Sequence, residues 1–86
     1  MQPDQVASRI LKLIAEIAEG VDVNDVDPDA SLRDQFELDS VDFVDFVMLL
    51  RDRYGIEVPE VDYHELTTLN TSVAYLGPKF DRSASS

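Results

Sequence analysis

No cysteine occurs in this chain, which excludes a disulfide framework, a thiolate nucleophile and a cysteine-ligated metal, so the fold must stand on packing. Positive charge is scarce as well: Lys plus Arg number 7 against 18 Asp plus Glu, a net charge of -11. Such a surface repels nucleic acid and anionic membranes at long range and attracts a basic protein. Long apolar runs are missing. The longest, Phe46 to Leu50, is far too short to span a bilayer, and Met1-Gln2-Pro3-Asp4 lacks the basic flank and apolar stretch of a signal peptide. The expectation is a soluble, cytoplasmic monomer with no nucleic-acid partner and no stable membrane insertion.

What is present suffices for one small core. Hydrophobic residues reach 44 %, which argues against disorder of the whole chain. At 86 residues a single domain can bury about 60–65 % of its unfolded surface, leaving little room for a catalytic cleft between domains.

Apolar spacing sets out the elements. Val6, Ile10, Leu13, Ile14 and Ile17 recur at helical intervals and predict a helix over 4–18, with Pro3 and Asp4 suited to its first turn and Gly20 to its exit. Residues 20–38 read as a long ordered loop, because Val21, Val23, Val26, Leu32 and Phe36 are too frequent for a free linker. A second helix is expected over 41–54. It is capped by Asp39 or Ser40, ends at Gly55, and turns Phe43, Phe46, Val47, Leu50 and Tyr54 toward the core. Ile56-Glu57-Val58-Pro59 reads as an extended connector, followed by a helical turn over 61–66. The last helix is expected over 69–76, capped by Thr67 or Thr68 and stopped by Gly77-Pro78. The fold class is therefore all-α: a small bundle of three main helices plus a short helical turn, with a long first loop. The domain is expected over 1–78, with 79–86 a flexible tail.

Ser40 behind Asp39 carries the chemistry, since a serine at a helix head is either a cap or an exposed hydroxyl at the positive end of the helix dipole. The helix it opens has more apolar surface than its core face needs: Val41, Val44 and Met48 stand beside Asp42, Asp45 and Asp52. An apolar centre with an acidic rim suits docking of basic proteins. His64, the only histidine, could serve Ser40 as a base, but the Gly-x-Ser-x-Gly elbow of a serine hydrolase is absent. The aspartates of 22–29 invite a calcium loop; starting at Asp25, that loop has Ala30 where the turn needs Gly and Phe36 where a bidentate Glu belongs. A non-covalent acidic adaptor or calcium-binding helical module is the competing reading.

The run Phe36-Glu37-Leu38-Asp39-Ser40-Val41-Asp42-Phe43-Val44-Asp45-Phe46-Val47, with Asp27 to Leu32 before it and Ile56 to Pro59 and Leu66-Thr67-Thr68 after it, resembles the attachment site of the acyl carrier protein family, whose pattern is Gly-x-Asp-Ser-Leu. The resemblance implies a carrier without catalytic residues, in which Ser40 takes 4'-phosphopantetheine from coenzyme A and the thiol of that arm holds acyl or aminoacyl thioesters. It implies that Asp39 serves recognition by the phosphopantetheinyl transferase, which brings its own Mg²⁺. Val41, Asp42, Asp45, Met48 and Asp52 would meet that transferase and the acyl or aminoacyl ligases and transferases that use the carrier. Glu37 stands in place of the family's Gly, Val41 in place of Leu, and Arg51 at a position often acidic. These departures point away from housekeeping fatty acid biosynthesis and toward a specialised lipid or secondary-metabolite pathway. Phe43 and Phe46 stand where smaller residues are common, so a small cavity and a short, polar or exposed cargo are expected.

Overall fold

The computed structural model describes residues 2–18 and 20–84. Helix α1, Pro3–Ile17, opens with the Gln2 N–H donating to Gln5 Oε1 at 3.1 Å and the Gln5 N–H donating to the Gln2 carbonyl at 3.0 Å, and it buries Val6, Ile10, Leu13 and Ile14. A short 3₁₀ turn, Val23–Asp25, and helix α2, Leu32–Gln35, interrupt the long loop. Helix α3 spans Ser40–Tyr54, a second 3₁₀ segment Glu60–Leu66, and helix α4 Leu69–Ala84. No strand occurs among the described residues, only an isolated bridge between Ser31 and Thr68. The Cα radius of gyration, 11.9 Å, matches the about 12 Å of a close-packed chain of this length.

The long loop is held as expected by its apolar side chains, Leu32 and Phe36 fully and Val21, Val23 and Val26 partly buried against the core. Polar bonds close it on itself and on α4. The Gln35 amide donates to the Asp27 and Ala30 carbonyls and accepts from the Asp27 N–H. The Leu32 N–H donates to the Thr67 carbonyl at 2.8 Å, and the Asn70 side chain donates to Asp29 at 2.6 Å. Asp22 and Asp27 accept from backbone N–H groups two residues on, so these aspartates build turns.

α3 ends as predicted: Gly55 adopts φ 67°, its N–H donates to the Arg51 carbonyl in an αL closure, and the Ile56 N–H reaches the Leu50 carbonyl. Of the expected core face, Phe46 and Leu50 are buried, while Phe43, Val47 and Tyr54 pack half-buried at its edges. Arg53 and Glu16 form two bonds of 2.6 Å between α3 and α1. Thr68 caps α4 by accepting from the Thr71 N–H. Ser72 is buried with its hydroxyl satisfied by the Thr68 carbonyl. Tyr75 donates to Asp62 at 2.7 Å, and burial together with that bond pushes its phenol up to about 12.

The expected stop at Gly77-Pro78 and the flexible tail from residue 79 are corrected. α4 runs through Pro78 to Ala84, and Phe80 is only 2 % exposed, its ring edge-on to Tyr54 at 5.0 Å with Arg9 above both rings. A proline inside a helix costs about 3 kcal/mol. Burying a Phe recovers about 1.5–3 kcal/mol and an aromatic pair about 0.5–1.5 kcal/mol more, so the helix continues because Phe80 has somewhere to go. The part of the expected tail at Ser85 and Ser86 lies outside the described residues.

Candidate functional site

The segment that leads into α3 is built by an unusual turn. The Leu38 N–H donates to the Arg33 carbonyl at 2.8 Å, closing α2, and Glu37 at the turn has φ 54°. This is the left-handed region, which costs a side chain other than glycine about 1–2 kcal/mol. Leu38 then buries its side chain and delivers Asp39 and Ser40 to the surface.

Asp39 is the cap of α3. Its carboxylate accepts from the Asp42 N–H at 2.8 Å, and the Asp42 carboxylate accepts from the Asp39 N–H at 3.3 Å, a reciprocal box that occupies both aspartates. Ser40 is the first helical residue, exposed and released from capping. Its Oγ accepts one bond, from Arg33 Nη2 at 3.3 Å. The amides of Ser40 and Val41 belong to the first helical turn, where N–H groups lack intrahelical acceptors and the dipole favours an anion.

Arg33 lies with Cζ 5.5 Å from the centroid of the Phe43 ring, and Phe43 stands edge-on to Tyr63 at 5.2 Å. Together with Ser31, His64, Leu66 and Thr67 these side chains line an open cleft of about 250 Å³. Sequence reasoning missed Arg33; a lone cation seven residues before the serine in an acidic stretch was the available signal. His64 is exposed and pairs with its neighbour Glu65 at 3.2 Å.

On α3, Val41, Asp45, Met48 and Asp52 follow i, i+4, i+7 and i+11 and share one stripe. Val41 is 67 % and Met48 47 % exposed. Asp45, Met48 and Asp52 border one groove with Glu16 and Arg53, while Asp52 also faces Arg51 at 3.8 Å. Asp42 stands apart, half-buried and turned back into the cap. Val44 adds a further exposed apolar side chain.

A helical bundle that holds an exposed serine at the head of an acidic helix is the architecture of a small carrier. The family model described as "Phosphopantetheine attachment site" matches residues 8–76. An "Acyl carrier protein" of Desulforapulum autotrophicum is 34 % identical over 74 residues, 86 % of this chain and 96 % of that protein. One of Rubrobacter xylanophilus is 33 % identical over 76 residues, 88 % of this chain and 93 % of its own length. The chain belongs to the acyl carrier protein family. It has a phosphopantetheine attachment domain, its cofactor is 4'-phosphopantetheine, and, as in the family, it carries groups and does not catalyse.

Proposed function

We propose that Ser40 is the attachment residue, that its Oγ forms a P–O bond to 4'-phosphopantetheine as the pyrophosphate of coenzyme A breaks and releases adenosine 3',5'-bisphosphate and the hydroxyl proton, and that the arm's thiol carries acyl or aminoacyl thioesters between cytoplasmic enzymes of a specialised lipid or secondary-metabolite pathway. The observation that supports this best is the division of labour at the helix head: Asp39 and Asp42 do the capping, and the exposed Ser40 hydroxyl is left out of the cap, with one bond from Arg33. The surroundings fit a phosphodiester, with first-turn amides on one side and the Arg33 cation on the other. When bound, the arm supplies the thiol that the chain lacks.

Asp39 combines the cap with recognition by the phosphopantetheinyl transferase. The stripe Val41, Asp45, Met48 and Asp52, with Asp42 at its edge, docks that transferase and the ligases and transferases of the pathway through basic surfaces. Ser40→Ala should keep the fold and abolish loading by a broad-specificity transferase with coenzyme A and Mg²⁺. Intact mass reads the result, and an alanine variant that still gained the arm's increment would place the attachment elsewhere.

The cargo is short, polar or exposed. Phe46 fills the interior beneath α3, Phe43 and Tyr63 stand across the cleft, and about 250 Å³ falls below the about 300–1,000 Å³ of pockets that enclose a drug-sized ligand. Loading chains of increasing length while recording methyl NMR shifts of the core tests this. Shifts should stop growing after short chains; growth out to long chains would show that the aromatic rings do not close the interior. In Phe43→Ala the series should extend further, with a stability loss toward the lower end of the about 3–5 kcal/mol typical of a buried ring, because Phe43 is half-buried.

A further inference from the structure

Among the described residues, Arg33 is the cation that donates to Ser40, and the reading above names it only as part of the surroundings, with no task of its own. Arg33 is fixed at both ends. Its carbonyl is tied to the Leu38 N–H, two residues before Ser40, and its guanidinium lies over the Phe43 ring while Nη2 donates to Ser40 Oγ at 3.3 Å. A guanidinium packed on an aromatic face keeps its in-plane N–H groups available at the edge. The local charge calls for such a group: Asp39 and Asp42 form the cap beside Ser40, Glu37 precedes it by three residues in the chain, and a phosphodiester there would add another negative charge. Helix-end amides offset part of this repulsion. A cation with a planar fork of donors is suited to the rest, because arginine can bond two phosphate oxygens at once.

We infer that Arg33 is a phosphate-binding residue of the attachment site, which rests on the reading of Ser40 above: it takes the non-bridging oxygens of the phosphodiester and holds the root of the arm at the rim of the cleft, on the side of Tyr63 and His64. In the chain without the arm, the Ser40 hydroxyl occupies the same donors. The role is specific to position 33, since Arg51 and Arg53 on the same helix as Ser40 are engaged with Asp52 and Glu16.

The test compares the parent, Arg33→Gln and Arg51→Gln after loading. Intact mass comes first and reads attachment independently of Arg33; a parent that gains no increment removes the Ser40 reading and this one with it. Phosphorus NMR of the loaded proteins then reads the phosphodiester directly. The expected result is a resonance in Arg33→Gln displaced from the parent's toward that of the free arm, an unchanged resonance in Arg51→Gln, and a parent resonance that drifts the same way as NaCl is raised, because the contact is exposed to screening. Identical resonances in parent and Arg33→Gln at low salt, or an equal displacement in Arg51→Gln, would overturn the inference. If Arg33→Gln resists loading, the parent alone decides through the Arg33 Nε nitrogen signal, which should move on loading and would refute the contact by staying in place.

Discussion

At the scale of single residues, the head of α3 separates two jobs that a serine behind an aspartate could hold in either order. Had Ser40 been the cap, its hydroxyl would have been spent on an amide; the Asp39–Asp42 box frees it. The Asp-x-x-Asp spacing was readable, but an aspartate at the third helical position is less usual than Glu or Gln in such boxes, which is why Asp42 read as partner surface alone. Glu37 shows the reverse case. The family pattern has Gly there, and the positive φ of Glu37 supplies the physical reason: the turn that closes α2 needs a left-handed residue. Glu37→Gly should therefore stabilise the fold. Relief of about 1–2 kcal/mol of backbone strain exceeds the about 0.5–1 kcal/mol that glycine's extra freedom adds to the unfolded chain, for a net gain of about 0.5–1 kcal/mol. Urea denaturation with unchanged slope and a higher midpoint would confirm it; a lower midpoint would mean the turn is already relaxed around Glu37.

At the scale of elements, α1, α3 and the second 3₁₀ segment follow from apolar spacing to within a residue or two, because each is bounded by a local signal such as Pro3 or Gly55. α4 does not. Gly77-Pro78 reads locally as a stop, and the spacing from Leu69 through Ser72 and Leu76 continues to Phe80 at an interval that tertiary packing uses. Gly77 stays outside the left-handed region, so the pair passes through the helix without ending it. What the local signal omitted was the destination of Phe80: Tyr54 at the end of α3 and Arg9 on α1, contacts that bring together distant parts of the chain. Phe80→Ala should cost about 3–5 kcal/mol, with loss of amide exchange protection reaching back through Pro78 once the ring no longer offsets the proline. A loss under about 1 kcal/mol, with the segment beyond Pro78 still protected, would show that the last turns of α4 stand without Phe80.

At the scale of the whole molecule, an excess of acidic residues is spread over a bundle whose apolar surface is not all inside. Val41, Val44 and Met48 remain exposed on α3 after the core is complete, flanked by Asp45 and Asp52. In the docking role proposed for this stripe, burial of these apolar groups would supply affinity, while the surrounding charge would govern how often a basic partner arrives in the right orientation. The two contributions separate experimentally through salt. Asp45 is the sharper probe, since Asp52 shares its charge with Arg51 and Asp42 is committed to the helix cap. Asp45→Lys should leave stability within about 0.5 kcal/mol of the parent, as exposed substitutions do, and lower the second-order rate of loading by a basic phosphopantetheinyl transferase by about tenfold at low ionic strength. The two rates should converge as salt rises and the Debye length contracts to about 3 Å near 1 M. Stopped-flow rates across a salt series measure this, with Ser40 untouched and final loading complete in both proteins. Parallel salt profiles with equal rates would remove charge steering at this stripe and leave its apolar side chains as the whole docking surface.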